Sequence, residues 1–531
     1  MIISFNTGKI NTTNSGGGNL QQKKVYVTEN GLDAIVPDAG YDGMSTLFVK
    51  TYVTNDNGLK DYTKIGYSTE LNIALNEEID NNIAEAKVAY ETYLKTPPKG
   101  NWQLKSYYPN LKYAPAIDTN GITNGERFFY GMSNLELIND YYDWSSNTKL
   151  NSAFESCKSL KTLDLSKWDV SNVAYLNNLL TDCSELVSVD LSGWYFPNCT
   201  SLSSFFLRCT KLKEIKGIEN WNVSNISNIS NMFQLCESLT ELDLSKWDTS
   251  NITTYAYAFK DAKLTTLNIS NWVITALSNS ALLDGAGGTN SKLIANNLDV
   301  SSLTSLSKIF YTTKFTEIDT TGMILPETPD FSQMFYNCSI TKIIRGLNVP
   351  STTKSVSNMF YGCSNLEDLY FDNFSSENCT QFTSMFYNCS KLTKIPTLST
   401  KMISDSPFVS TYPMQSIFYN CTKVADFGGF VDCEKITDWG SSTNSPFYYL
   451  TSLVNIEQFG TIKGMNFNVS RCTNLSVDSL MVLINALYDY VGNNETPTST
   501  AYSKLTIGST NLAKLSDEQK AIATSKGWTL A

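Results

Sequence analysis

Apolar residues recur along most of this chain in a fixed order, with a period of 25 to 27 residues. Residues 159–173 read SLKTLDLSKWDVSNV and residues 238–252 read SLTELDLSKWDTSNI, and the two stretches lie 79 positions, or three periods, apart. Leu163 and Leu165 are separated by one residue, so they share one face of a strand while Asp164 points to the other. The pattern therefore predicts one short strand in every period.

A full period places the same residue types in the same order. It begins with Phe or Leu, has Cys three positions later, continues as Leu-x-x-Leu-x-Leu and then reaches a Trp. This kernel, in a period of this length, is the leucine-rich-repeat pattern. The core positions that the frame predicts include Phe154, Cys157, Leu163, Leu165, Trp168, Cys183, Trp194, Cys209, Trp221, Phe233, Cys236, Leu242, Leu244, Trp247, Cys338, Cys363, Cys389 and Cys421.

The frame runs through about thirteen coils between residues 126 and 476. One coil alone cannot bury enough apolar surface to offset the entropy lost in ordering its backbone, so the coils must stack. In residues 224–233, Ile226, Ile229 and Phe233 are about one helical turn apart, which predicts a helical or 3₁₀ return opposite the strand. The predicted fold class is thus a repeat solenoid, a leucine-rich-repeat α/β stack.

Beyond residue 476 the period breaks and the pattern is typical of a cap. Residues 477–491 have apolar positions at helical spacing, and residues 504–509 read as a strand. Ser516 and Gln519 form the capping-box pattern of a last helix, and Gly527 ends it.

The N-terminal region differs from the repeats. Residues 25–53 alternate apolar and polar positions around Asn-Gly and Asp-Gly turns, and residues 69–95 read as a helix that ends before two prolines. The predicted divisions are a flexible arm at 1–24, a small β module at 25–60, a helix and N-terminal cap at 61–125, the solenoid at 126–476 and a C-terminal cap at 477–531.

Composition narrows the possible chemistry. The 531 residues carry a net charge of −11 and contain no histidine. Histidine-dependent nucleophiles and imidazole metal ligands are therefore excluded, although paired carboxylates stay open. The acidity argues against a nucleic-acid partner. The first residues lack the pattern of a secretory leader, and the longest apolar run, at 480–487, is too short to cross a membrane, so we expect neither export by a leader nor membrane insertion.

Twelve cysteines invite a metal or disulfide interpretation. Eight of them occupy the same coil position, and none of those eight has a partner at the short spacing that a zinc site uses. We therefore expect buried thiols in a core slot, no metal and no cofactor. The frame assigns no role to Cys199, Cys379, Cys433 and Cys472.

The outward strand positions are the candidate binding face. Stacked carboxylates there can hold a cation or a network of glycan hydroxyls, and they can equally be a solvated face. The Asn-x-Ser/Thr triplets, such as the one at Asn251, are expected to hydrogen-bond the turns of each coil. The candidate face comprises Asp164, Asp190, Lys216, Asp243, Asn268 and Tyr370, and Tyr448 and Tyr449 add adhesive aromatic surface.

The motifs Met-Phe-x-x-Cys, Leu-x-x-Leu-x-Leu and Trp-Asp-x-Ser-Asn recur in order, as in LDLSKWDVSNV and NMFQLCESLTELDLSKWDTSNIT. In these the chain resembles the BspA-like leucine-rich-repeat family of bacterial surface proteins, and phage virion proteins that carry the same repeats. Residues 25–53 and 504–530 look like the β modules and terminal caps of phage proteins. The resemblance implies a binding or adhesion scaffold and brings no catalytic residues.

From this we expect a non-enzymatic bacteriophage virion surface protein of the tail- or head-fibre type, assembled in the host cytoplasm. Its N-terminal region would bind other virion proteins, and its solenoid would bind a bacterial surface glycan or protein. The resemblance to fibres implies a homo-oligomer, with a trimer as the expected form. The alternatives are a decoration or connector protein of the virion and a bacterial cell-surface adhesin.

Overall fold

The computed structural model of the chain describes residues 112–531 apart from 115–118, 120–121, 139–141, 143, 277–280, 403–413, 441–444, 498 and 500–502, together with six strands nearer the N-terminus. The chain divides into two compact units. The first comprises Met1–Cys199 and Glu214–Ile218, and the second comprises Thr200–Lys213 and Glu219–Ala531.

The first unit begins with a six-stranded sheet in the order β2-β1-β3-β4-β5-β6. Strands β1 and β2 lie within the interval predicted as a flexible arm. The predicted helix at 69–95 lies outside the described residues. The strands are β1 (Ile2–Asn6), β2 (Lys9–Thr13), β3 (Lys24–Val27), β4 (Leu32–Ile35), β5 (Lys50–Thr54) and β6 (Lys60–Asp61).

The coils of the first unit follow. Their strands are parallel and in register, as stacking requires, and each three-residue strand has a buried central residue. Strand pairing starts at Tyr113, upstream of the predicted solenoid boundary at residue 126. The strands are β7 (Tyr113–Ala114), β8 (Leu137–Ile138), β9 (Thr162–Asp164), β10 (Ser188–Asp190) and β11 (Glu214–Lys216).

The second unit continues the same architecture. Its longest solenoid sheet has the order β12-β13-β14-β15-β16, all parallel. Its strands are β12 (Glu241–Asp243), β13 (Thr266–Asn268), β14 (Lys292–Ile294), β15 (Glu317–Asp319), β16 (Lys342–Arg345), β17 (Leu347–Val349), β18 (Phe371–Phe374), β19 (Lys394–Ile395), β20 (Leu398–Ser399), β21 (Asp426–Phe427), β22 (Phe430–Val431) and β23 (Asn455–Ile456).

Counted over both units, about thirteen parallel coils with little helix form the repeat region, which confirms the predicted repeat solenoid. The predicted core positions are buried in both units. Phe206, Phe233 and Phe259 stack in successive coils of the second unit, with ring centroids 5.5 and 5.3 Å apart. Like residues therefore pack on like residues along the stack.

The return opposite the strand is not helical, so that prediction is wrong. The amides of Ile229, Asn231 and Phe233 each donate to a carbonyl of the next coil, at 3.0, 2.9 and 2.7 Å. Between them the chain makes overlapping β-turns, such as Met232 N–H to the Ile229 carbonyl, and Asn231 has a φ of 56°. A left-handed residue interrupts a helix, so the apolar spacing that suggested one belongs to a ladder of turns.

The C-terminal cap closes the second unit. The predicted capping box is confirmed, because Ser516 accepts from the Gln519 amide and the Gln519 side chain accepts from the Ser516 amide. Gly527 has a φ of 85°, as a helix-ending glycine should. The first helix is shorter than predicted, and a short helix follows the two-residue strand. The elements are α1 (Val477–Asn485), β24 (Lys504–Leu505), α2 (Gly508–Leu512), α3 (Asp517–Ser525) and β25 (Thr529–Leu530). Within the described residues, none of the helices has the length and apolar character needed to cross a bilayer.

Candidate functional site

The candidate strand face of the first unit is a row of three side chains in register. Asp190 pairs with Asp164 on one side and with Lys216 on the other. The Asp164 carboxylate accepts hydrogen bonds from the backbone and the hydroxyl of Ser166, at 3.0 and 2.7 Å. These carboxylates therefore fix the turn that follows each strand, which is the structural role of an Asx turn.

The corresponding row in the second unit has the same chemistry. The Asp243 carboxylate accepts from the amide and the hydroxyl of Ser245, and the Asn268 side chain accepts in the same way from Ser270. Partial burial raises the pKa of Asp243, but the hydrogen bonds from Ser245 and Asn268 outweigh it and hold that pKa below its ordinary value. Aspartate and asparagine can replace each other at this position because both side chains can accept in this turn.

Tyr370 was predicted at an outward strand position, and it lies two residues after Asp368, which pairs with Lys342 in the frame of the earlier coils. The strand begins one residue later, at Phe371, and Tyr370 lies just before it with 58% of its surface exposed. The register shift in this coil comes after Tyr370, between the pair Leu347–Phe371 and the pair Asn348–Asn373.

All twelve cysteines are free and buried. The thiols of Cys338, Cys363 and Cys389 each donate to the carbonyl of the anchor phenylalanine one coil earlier, at 2.8 to 3.1 Å. Burial raises the pKa of Cys379 to about 12 and keeps its thiol protonated. Within the described residues no group of three or more Cys, Asp and Glu is arranged to hold a metal ion. These cysteines thus have a structural role, because their thiols hydrogen-bond the preceding coil.

The four unassigned cysteines now have places in the coil. Cys199, Cys379 and Cys472 occupy the turn position that Val173 and Ile252 hold elsewhere, because each donates its amide to the carbonyl three residues earlier. The asparagine before this position bridges coils: the Asn251 amide donates to the Ser224 carbonyl at 2.7 Å. The expected turn role of these asparagines is confirmed there. Cys433 lies at the other end of the same turn, where it accepts from the Ile436 amide.

A ladder of half-buried tyrosines runs along the second unit, and the sequence analysis missed it. Adjacent rings are 5.2, 4.6, 4.6, 4.4 and 4.3 Å apart between centroids, and the first four pairs are nearly parallel. Each ring but the last follows the anchor phenylalanine of its coil, so recurring Phe-Tyr pairs were the available signal. We call this the tyrosine ladder: Tyr311, Tyr336, Tyr361, Tyr387, Tyr419 and Tyr449.

The stacking decides what the tyrosine ladder can offer to a partner. Inner rings cover each other's faces, so ring edges and hydroxyls are what remain accessible. Burial, reinforced by the neighbouring phenols, raises the pKa of Tyr336 and Tyr387 above its ordinary value, so the hydroxyls stay protonated and can donate. At the far end the guanidinium of Arg471 lies 4.2 Å from the ring centroid of Tyr448, which packs edge-on against Tyr449.

A groove with a volume of about 760 Å³ opens beside the corner that follows the cysteine position. We call it the corner groove. The corners that line it differ in length: Leu267 follows Ala262 by five residues, whereas Leu242 follows Cys236 by six and Leu293 follows Ala286 by seven. Gly287 then allows close packing, because a Cβ on it would lie 2.5 Å from the Phe315 nitrogen.

The residues that line the corner groove are mostly polar or glycine, but most of the surface they expose to it is apolar. Glu237 and Lys263 form an ion pair across neighbouring coils at 3.7 Å, and Asp261 and Lys314 also line the groove. Within the described part of the chain, no ion-pair partner lies near the Lys314 ammonium. The groove therefore offers donors and acceptors while its four charged side chains sum to zero.

Comparison with protein-family models gives three matches to one family. The family described as "Mycoplasma protein of unknown function, DUF285" matches residues 108–217, 200–323 and 329–445, which together make up more than half of the chain. A search of curated proteins gave no match.

Two solved structures give distant similarities. One is titled "Crystal structure of TLR13-ssRNA13 complex", at 14% identity over 66% of this chain and 64% of that one, with a TM-score of 0.15. Another is the Toll–Spatzle complex of Drosophila, at 12% identity over 88% of this chain and 64% of that one, with a TM-score of 0.24. The chain thus spans less than two thirds of the length of either structure, and superpositions this poor carry no functional argument.

Proposed function

The chain belongs to the family described as Mycoplasma protein of unknown function, DUF285, and is a BspA-like repeat protein; from this premise we propose that it is an attachment protein. In this proposal the solenoid binds a component of a bacterial surface and catalyses no reaction. The N-terminal region docks onto a bacteriophage virion, in a homo-oligomer that we take to be a trimer.

The tyrosine ladder is the observation that supports a binding role. Tyrosine offers a large contact area at low entropic cost and is enriched where proteins bind partners. In this ladder the stacking has already fixed the side chains of Tyr336, Tyr361 and Tyr387, so a partner need not order them on binding. The inward side chains and the turn amides are used in coil-to-coil contacts, which leaves the outer surface as the variable part of the molecule.

The virion setting is supported by sequence resemblance. Residues 25–53 and 504–530 look like modules of phage structural proteins, and the repeats occur in phage virion proteins as well as in bacterial ones. A protein made and assembled in the host cytoplasm would keep its thiols reduced.

Competition for adsorption tests the proposal. Purified full-length protein is incubated with host cells before phage is added, and unadsorbed phage is counted. We expect free phage to increase with protein concentration, and Tyr336→Ser combined with Tyr361→Ser and Tyr387→Ser to weaken this competition. Tyr195→Ser, a change at a tyrosine that is 58% exposed in the first unit, serves as the matched control. If folded wild-type protein leaves adsorption unchanged at saturating concentration, the attachment role is wrong.

A cell-surface adhesin is the second candidate, and the family description supports it because it names a bacterial protein. Immunogold labelling separates the two settings. Label on virions supports the phage assignment, and label on intact uninfected cells supports the adhesin.

A further inference from the structure

The corner groove gives the attachment role a ligand class. We propose that it binds a neutral oligosaccharide chain that lies along the groove across successive coils. This inference rests on the function proposed above, in which the solenoid binds a bacterial surface.

The shape of the groove suits a linear ligand. Its lining comes from six successive coils, from the coil of Phe233, which supplies Leu235, to the coil of Phe360, which supplies Asn365. Coils stack at about the spacing of neighbouring strands, so five steps of ~4.8 Å make the groove about 24 Å long. A volume of about 760 Å³ spread over that length matches an extended chain better than a compact small molecule.

The charges of the groove favour a neutral ligand. Glu237 and Lys263 already form an ion pair at 3.7 Å, and Asp261 and Lys314 add one charge of each sign to the lining, so the four charges sum to zero. A polyanion would meet two carboxylates, and a polycation two ammonium groups. Sugar hydroxyls can donate to the two carboxylates and accept from the two ammonium groups, so a neutral sugar can use all four side chains.

A row of threonines along the groove is held rigidly. The hydroxyls of Thr265, Thr316 and Thr341 each donate to a carbonyl of the preceding coil, at 2.8, 2.9 and 3.1 Å. Each fixed oxygen retains at least one lone pair that can accept from a sugar hydroxyl, since the Thr316 oxygen already accepts from the Ser291 amide. The row repeats along the stack, as the hydroxyls of a polysaccharide repeat along its chain.

The lining argues against a folded protein or a peptide as the ligand. Interfaces of that kind centre on aromatic or aliphatic anchors, whereas in the described lining of the groove Leu235 is the one large apolar side chain. The tyrosine ladder is a poor sugar platform, because its inner ring faces are covered. Without an aromatic platform each sugar unit binds weakly, so affinity should rise with chain length until the groove is filled.

Gly288 allows the groove to be blocked without disturbing the core. Its Cβ would meet no atom within 4 Å and its φ lies outside the left-handed region, so Gly288→Leu places a side chain in open space. Gly288→Ala is the matched control of minimal bulk. Lys314→Gln removes a charged donor from the groove, and Lys354→Gln changes an exposed lysine outside it.

The full-length protein and its variants are tested by calorimetry and glycan array against chito-, manno- and malto-oligosaccharides, from the disaccharide to chains longer than the groove, and against polygalacturonate. We expect one neutral series to bind with affinity that rises with length. Gly288→Leu should weaken it at least about tenfold and Lys314→Gln by about tenfold, with both controls near wild type.

Several results would overturn the inference. These are preferential binding of polygalacturonate, neutral binding that Gly288→Leu leaves unchanged, and no neutral binding by protein that blocks phage adsorption. The last result would leave the attachment role standing. Conversely, neutral binding that Gly288→Leu abolishes, in a protein that does not compete for cells, supports the sugar site and contradicts attachment.

Discussion

Two columns of aromatic rings run through the same coils of the second unit, one inside and one outside. The inner rings of Phe310, Phe335 and Phe360 are 5.3 and 5.4 Å apart, and the outer rings of Tyr336 and Tyr361 are 4.6 Å apart. The inner rings also meet rings from the strand side, as Phe360 meets Phe371 edge-on. The outer rings shelter their faces from water by stacking on each other, which draws them closer.

The comparison shows that the stack, not the length of each coil, sets the register. The coil from Phe386 to Phe418 is 32 residues long, yet the rings of Tyr387 and Tyr419 are still 4.4 Å apart. Asn420 donates to Asn388 beside them at 3.2 Å. The greater length of this coil therefore leaves the side-chain columns in the same frame.

Removing one ring from the inner column and one from the outer column should give the largest difference in unfolding free energy. Phe360→Ala leaves a cavity between two stacked rings in a fully buried site, so we expect a loss of about 3–5 kcal/mol in unfolding free energy. Tyr361→Ala removes a half-buried ring and should cost about 1 kcal/mol. Urea denaturation followed by circular dichroism measures both. Equal costs would mean that the outer column supports the fold as strongly as the inner one.

A substitution in the turn between the two columns should give the next largest loss of unfolding free energy. In the run Phe386-Tyr387-Asn388-Cys389, the side chains of Phe386 and Cys389 face the core and that of Tyr387 faces outward. Asn388 returns the chain to the core with a φ of 61°. Asn388→Ala forces a Cβ-bearing residue without a polar side chain into the left-handed region and removes the bond from Asn420, so it should cost about 1–2 kcal/mol.

Asn388→Gly is the matched control, because Gly362 holds the same position one coil earlier with a φ of 73°. Glycine keeps the conformation and loses the side-chain bond alone. The same denaturation assay should place Asn388→Gly between wild type and Asn388→Ala. An alanine variant as stable as the glycine variant would show that the left-handed turn does not hold the columns in place.

A smaller effect is expected where a thiol joins the inner column to its neighbour. Cys363 donates to the Phe335 carbonyl at 2.9 Å, and Thr313 fills the equivalent position in an earlier coil, where its hydroxyl donates to Ala286. Cys363→Thr and Cys363→Val have similar shapes and differ in the donor. We expect the valine variant to be less stable by about 1 kcal/mol, because the carbonyl loses one partner. Equal midpoints in urea would mean that the thiols act by volume alone.

The period and the inner column could be predicted from the sequence because large apolar residues form them. Phe154, Cys157 and Leu163 recur at fixed offsets, and burial is the one environment that suits them all. The return at 224–233 could not be predicted from spacing alone, since apolar residues three or four apart fit both a helix and a ladder of turns. The sign that separates them there is Asn231, two residues before the anchor phenylalanine, a position at which Asn358 also takes a left-handed conformation.

The candidate surfaces were harder to predict because they depend on differences between coils. The strand-face aspartates, such as Asp243, repeat and so attracted attention, yet each is tied to its own turn. The corner groove lies where the corners after Cys236, Ala262 and Ala286 differ in length by one or two residues, and such small differences do not stand out in a repeating sequence. The tyrosine ladder repeats in half of the coils, next to an anchor whose own pattern dominates.

The smallest expected effect is a pH dependence of stability in the outer column alone of the two, because phenols titrate and phenyl rings do not. Burial and then the neighbouring phenols, first Tyr419, raise the pKa of Tyr449 from 10.0 to about 12. Folded protein keeps this proton where unfolded protein has lost it, so the stabilisation is complete below pH 10 and is lost as the pH rises from 10 through about 12.

The buried thiols act in the same direction, so the informative quantity is a difference between variants. In Tyr449→Phe the urea midpoint should fall less over this range than in wild type, and the phenolate absorbance of the folded wild type should include a component that titrates near pH 12. An unchanged pH dependence in Tyr449→Phe would contradict the view that the outer column is sheltered enough to hold its protons.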